Sequence, residues 1–161
     1  MGHADSGGAQ GGAGVEIRPW DEAYGGLLAD RSSHVHEGRF RRSRPVSTPG
    51  REQVLVAVAG ERIVGFTLAR PSSDEDSHAG EAVLAGLYVD PDVRGDGIGS
   101  ALVEALLERL SRASFTTATV WLPAEAARSR RFYEARQWAA DTAERERAGG
   151  GGVEVRYRIA L

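Results

Sequence analysis

Apolar positions follow a strand period through the first half of the chain and a helical period in two later stretches. Val15-Glu16-Ile17-Arg18 alternates and predicts a short strand closed by Pro19. Val54 to Ala59 and Arg62 to Arg70 are β-branched apolar runs around Ala59-Gly60-Glu61, which predicts a hairpin. A polar, acidic loop from Pro71 to Gly80 leads into a third apolar run, Glu81 to Val89, bounded by Asp90-Pro91. Ile98, Ala101, Leu102, Ala105, Leu106 and Leu110 then recur at spacings of three and four, so they share one helix face. Glu104, Glu108 and Arg112 fall outside that face, the last two as a pair four apart. Thr116 to Leu122 reads as a strand and Glu125 to Arg136 as a helix. Val153 to Ala160 alternates Val, Val, Tyr, Ile against Glu, Arg, Arg, which predicts a strand with one solvated face after the turn Gly149 to Gly152. Its hairpin partner would have to lie between Ala139 and Arg147, where strand-forming tendency is weak.

The remaining stretches carry less pattern. Met1 to Gly14 holds six Gly among small and polar residues and reads as a disordered tail, because such a segment cannot offset its ordering entropy. Asp21 is placed to cap a helix reaching Arg31. Between Ser32 and Arg51 a short helix is followed by a loop containing Pro and Ser. The elements sum to one α/β domain over residues 15–161, built on a single mixed sheet.

Composition narrows the chemistry. The net charge of −3 is spread over mixed signs, so nothing marks a general nucleic-acid binder. All strong bases are Arg, and the chain has no Cys, which excludes disulfides, thiolate nucleophiles and Cys-ligated metals. No apolar run approaches the roughly 20 residues that span a bilayer, and the Gly-rich start lacks the regions of a signal peptide. Met1-Gly2 with Ser6 matches a short acylation pattern that a Gly-rich leader also meets by chance. A soluble, cytoplasmic protein is expected.

The segment richest in chemistry is Arg94-Gly95-Asp96-Gly97-Ile98-Gly99, between a strand and an amphipathic helix. Glycines there allow a tight turn and close approach of the backbone to a ligand. The unpaired amides of the helix start, with its dipole, suit a phosphate or pyrophosphate, and Arg94 adds a cation. A dinucleotide loop would need a third glycine where Ser100 stands and an acidic residue after Thr116 to Leu122, which offers none. A phosphate loop of the Walker type needs Lys, which is absent.

Leu87 to Leu102, read as Leu-Tyr-Val-Asp-Pro-Asp-Val-Arg-Gly-Asp-Gly-Ile-Gly-Ser-Ala-Leu, resembles motif A of the GNAT superfamily of N-acetyltransferases. Phe132-Tyr133-Glu134 resembles that family's Phe-Tyr-Glu, and the order of elements agrees from Val15 to Leu161. The resemblance implies a mostly antiparallel sheet of about six to seven strands flanked by helices. It implies acetyl-CoA as co-substrate, no metal, and transfer of acetyl to a primary amine of a small molecule or protein by direct attack. Backbone groups of Leu87, Tyr88 and Val89 would hold the pantetheine arm in a splayed strand gap. Arg94, Gly95, Asp96, Gly97, Ile98, Gly99 and Ser100 would hold the pyrophosphate. The Val89 amide would stabilise the developing oxyanion, and Tyr133, facing the cleft while Phe132 fills the core, would donate a proton to the departing sulfur.

Two positions depart from the family pattern. Ala126 stands where many relatives have an Asn that contacts the coenzyme, and Gln137-Trp138 replaces Gly-Phe. A coenzyme-binding sensor or interaction module without turnover is the alternative function. Glu81, thirteen residues before Arg94, is the candidate general base, or a solvated strand start. Arg128, Arg130 and Arg131 either reach the coenzyme's 3′-phosphate or form a solvated helix face. Asp74, Glu75 and Asp76 would attract a cationic acceptor or merely solubilise their loop. His34 and His36 fall where the acceptor wall is expected, and Arg39, Arg41, Arg42 and Arg44 form a basic surface stretch. No nucleic acid or membrane partner is expected, and the chain is a monomer or homodimer.

Overall fold

The structure is a computed structural model that describes residues 14–19 and 51–161. The expected tail up to residue 13, the helix from Asp21, His34, His36 and the Arg39 to Arg44 cluster lie outside the described residues.

Seven strands form one sheet in the order β1-β2-β3-β4-β5-β7-β6. β1 spans Val15–Pro19, β2 Gln53–Ala59, β3 Arg62–Pro71, β4 Glu81–Val89, β5 Thr117–Pro123, β6 Ala139–Glu146 and β7 Val153–Ala160. Every neighbour pair is antiparallel except β4 with β5. Helix α1, Ile98–Arg112, follows β4, and helix α2, Ala127–Glu134, follows β5.

The hairpin β2–β3 turns at Gly60, whose φ of 64° is the left-handed conformation that glycine adopts without strain. Helix α1 buries Ile98, Ala101, Leu102, Ala105, Leu106 and Leu110, the face expected from their spacing, together with Val103. These side chains pack with Ile17, Leu55, Val64, Leu84, Phe115 and Tyr157 in the main core. Glu108 and Arg112 pair on the outside at 3.4 Å. Burying a leucine such as Leu106 contributes about 2 kcal/mol.

Three features differ from the pattern-based expectation. Helix α2 is shorter at both ends than Glu125 to Arg136. β6 does form, paired along β7, with a register shift between Ala140 and Glu144 and Thr142 at a φ of 71°. Edge pairing to a well-ordered strand replaces the intrinsic propensity that Ala139 to Glu146 lacks. The charged face of β7 is covered rather than solvated. Arg156 is 5% exposed and binds Asp76 with two nitrogens, at 2.8 and 2.7 Å, and also Asp74 and Asp141. The loop between β3 and β4 therefore folds over the β5–β7 surface, and Trp121 Nε1 donates to Asp74 from beneath it.

Candidate functional site

β4 and β5 pair only where Glu81–Leu84 face Thr117–Val120. Beyond Leu84 the strands separate, while β4 stays bonded to β3 as far as Val89. The opening forms a cavity of about 950 Å³ walled by β4 from Leu84 to Val89, by Val120, Trp121 and Leu122, by the start of α1, and by one side of α2. The Asp90 amide donates to Val64 on β3. Because strand amides alternate sides, those of Leu87 and Val89 face the gap. The Val89 carbonyl accepts from Arg94 Nε at 3.2 Å, which leaves its amide as the open group.

The loop between β4 and α1 is anchored before it reaches the cavity. Asp90 is buried, accepts from the Asp92 amide at 2.9 Å and binds Arg62. Gly95 and Gly97 have φ values of 92° and 82°, so the chain makes two left-handed steps that side chains with a Cβ resist. Gly97 is the residue before the first turn of α1 and supplies no side-chain cap. The amides of Ile98, Gly99 and Ser100 consequently have no acceptor among the described residues, and they open on the cavity with the positive end of the helix dipole. A Cβ at Gly99 would meet Val89 and Phe132 at 3.6 and 3.7 Å, ordinary contact distances. The fold itself does not demand glycine there.

Of the expected site residues, Leu87, Tyr88, Val89, Arg94, Gly95, Gly97, Ile98, Gly99, Ser100 and Tyr133 all line this cavity. Asp96 is exposed and not among its walls. Glu81 is likewise absent from them. It is 1% exposed at the far end of β4, roughly 26 Å of strand from Val89 at about 3.3 Å per residue. Its carboxylate lies 3.4 Å from Arg158 and 3.7 Å from His78. Expected as a base at the acceptor cleft, Glu81 is a buried ion-pair partner and is not among the described residues that line the cavity.

The two rings of α2 divide the site differently from expectation. Tyr133, 4% exposed, is the more buried ring, packed edge-to-face on Phe132 and Trp138 at 5.0 and 5.1 Å. Phe132 is only half-buried and faces Gly99. Burial pushes the Tyr133 phenol well above its ordinary pKa, against the smaller opposing pull of Arg136. Its hydroxyl has no hydrogen-bond partner among the described residues, and Tyr133 is one of the residues that line the cavity.

Among the basic candidates on α2, Arg128 lines the cavity, Arg131 is exposed, and Arg130 is committed to Tyr157 and the Ala124 carbonyl at 2.9 Å each. The loop acids Asp74 and Asp76 are taken up by Arg156. Pattern reading passed over Trp121, Ser129 and Arg136, which also wall the cavity. Arg136 stands four residues after Phe132, the helical spacing that would have flagged it.

The shape matches known proteins. The model of the acetyltransferase (GNAT) family matches residues 17–137. An N-acetyltransferase of Archaeoglobus fulgidus, itself described as uncharacterized, is 33% identical over 148 residues, covering 86% of this chain and 90% of that protein. The ribosomal-protein-S18-alanine N-acetyltransferase of Escherichia coli superposes with a TM-score of 0.66 at 18% identity, over 91% of this chain and 94% of that one. A GNAT family acetyltransferase of Elizabethkingia anophelis with acetyl-CoA bound gives 0.66 at 13% identity, over 92% and 99%.

Proposed function

The chain belongs to the acetyltransferase (GNAT) family and is an acyl-CoA-dependent N-acyltransferase, and from that premise we propose that it acetylates a primary amine in the cavity between β4 and β5. The single observation that carries this reading is the coincidence, on one cavity, of an uncapped helix start, an open strand edge and a tyrosine whose hydroxyl has no partner among the described residues.

Acetyl-CoA is the co-substrate, and its thioester supplies the acyl group. The amides of Ile98, Gly99 and Ser100, with Arg94, fit its pyrophosphate. The gap-facing groups of Leu87 and Val89 fit the amide-bearing arm as an added strand would. The Val89 amide, left open beside a carbonyl already held by Arg94, is the group suited to a developing oxyanion. Tyr133 supplies the proton for the departing sulfur.

Two cases remain for the amine proton: solvent, or a group on the acceptor side. Glu81 is not used in this reading, because it is buried, pairs with Arg158 and is not among the residues that line the cavity. The enzyme is expected to act in the cytoplasm, as a monomer or homodimer, on a small molecule or a protein. No described helix is long and apolar enough to cross a membrane.

The test is an acceptor screen. Purified protein and acetyl-CoA are offered to amino acids, polyamines, aminoglycosides and peptides with free N-termini or lysines, and products are read by mass spectrometry. Acetylated amine from one class identifies the acceptor. Bound coenzyme without any acetylated amine would overturn the proposal.

A further inference from the structure

Tyr157 is among the largest fully buried side chains, and its hydroxyl is bonded on both sides. It accepts from Arg130 Nε at 2.9 Å and donates to Glu134 Oε2 at 2.6 Å. Arg130 and Glu134 stand four apart on α2, so they share one face of that helix. Arg130 Nη1 also donates to the Ala124 carbonyl at 2.9 Å, in the turn between β5 and α2. A buried group on β7 therefore grips both α2 and the chain leading into it. Tyr157, Arg130 and Glu134 do not themselves line the cavity.

The helix has little else to hold it against the sheet. α2 is eight residues long, Tyr133 is its one buried residue, and Ala126 gives its start no side-chain cap. A helix of that length is marginal by itself. The bond from Arg136 to Ser100 ties the end of the helix region to α1, whereas the Tyr157 bonds tie its body to β7. Hydrogen bonds to a guanidinium and a carboxylate are of the stronger, charge-assisted kind. They also act at the depth of the cavity, because Tyr157 lies directly opposite Val120, one of its walls. Glu134 follows Tyr133 about 100° further round the helix, so a shift of one carries the other.

We propose that Tyr157, through Arg130 and Glu134, is a positioning residue that sets where the Tyr133 hydroxyl meets the departing sulfur. This rests on the reading of Tyr133 as the proton donor. A misplacement of about 1 Å at a reacting group costs up to about 10²-fold in rate. Coenzyme binding, which uses β4 and the start of α1, is left nearly unchanged.

A double-mutant cycle in kcat tests the assignment, with acetyl-CoA and the screened amine that gives the fastest wild-type rate. Tyr157→Phe keeps the ring and removes the grip. Its kcat is expected to fall about tenfold, with KM for acetyl-CoA within about twofold of wild type. In a Tyr133→Phe background the same change should cost less than about twofold, because residues that act as one unit are not additive. Glu134 is exposed, so its variants test the bond without disturbing the core. Glu134→Ala is expected to match Tyr157→Phe, and Glu134→Gln, which still accepts from the hydroxyl, to stay within about twofold of wild type. Unchanged kcat in Tyr157→Phe, an equal loss in both backgrounds, or equal rates for Glu134→Ala and Glu134→Gln would overturn the assignment. Full activity in Tyr133→Phe would instead remove Tyr133 as the donor, and the assignment with it.

Discussion

The Trp138 amide donates to the Tyr133 carbonyl at 3.1 Å, closing α2 across Gln137, whose φ is 75°. This closure turns the chain back so that Trp138 packs under the ring of Tyr133. The left-handed residue of such a helix end is usually glycine. Gln137 therefore carries a local strain of about 1 kcal/mol. Gln137→Gly should raise stability in urea by up to about that amount, less the extra freedom it gives the unfolded chain. A loss of stability would mean that the Gln side chain makes a contact that offsets the strain.

Gly99 separates ligand from fold. The added Cβ of Gly99→Ala meets Val89 and Phe132 only at ordinary contact distance, and Ala suits a helix better than Gly. The melting temperature should hold or rise slightly while affinity for acetyl-CoA falls about tenfold or more, since the methyl intrudes on the amides that hold the pyrophosphate. Calorimetry and thermal melts on the same sample read both.

Tyr133→Phe removes the proton donor but keeps the ring against Phe132 and Trp138. kcat should fall about 10²-fold with little change in acetyl-CoA affinity. Because burial raises the phenol's pKa in the folded protein, its neutral form contributes stability below the ordinary tyrosine pKa near 10, and that contribution is lost as pH rises further. The wild-type rate profile should accordingly show no alkaline limb from this residue below about pH 10. A limb near pH 8 that vanishes in Tyr133→Phe would contradict the assignment.

The cluster around Arg156 should make the protein acid-sensitive. The hydrogen bond from Arg156 holds the Asp76 carboxyl at a pKa of about 2. At Asp141 burial acts upward, but hydrogen bonds from the Ala143 amide, Arg156 and Arg158 outweigh it and the pKa is lowered. Both depressed values place the stabilisation above the ordinary carboxylate pKa near 4, and it is lost as pH falls toward 2. Arg156→Gln should cost about 3 kcal/mol at pH 7 and flatten the acid limb of a melting-temperature profile. An unchanged acid limb would show that other carboxylates govern it.

What could be read from the sequence follows from what is local. The buried face of α1 is written in the spacing from Ile98 to Leu110, and the Gly95 and Gly97 turn is written in its glycines, because both depend on neighbours within a few residues. β6 was hard to read because Ala139 to Glu146 forms a strand only when β7 offers an edge. Alternation along β7 correctly separated Tyr157 from Arg156, yet it could not tell that the loop bearing Asp74 and Asp76 would cover the charged face. Glu81 illustrates the same limit. Its distance from Arg94 along the chain suggested a base, whereas the ion pair with Arg158 depends on a strand more than seventy residues away. Arg136 gains its place only when the end of α2 meets Ser100 at the start of α1.

The central claim is direct transfer from acetyl-CoA to an amine in this cavity. Thiol release monitored alongside intact-protein mass, with and without an accepted amine, tests it most directly. The account predicts thiol release only when amine is present, one acetylated amine per thiol, and a protein mass that never gains an acetyl group as a turnover intermediate. Acetylated protein that forms without amine and then delivers its acetyl group to the amine would contradict it.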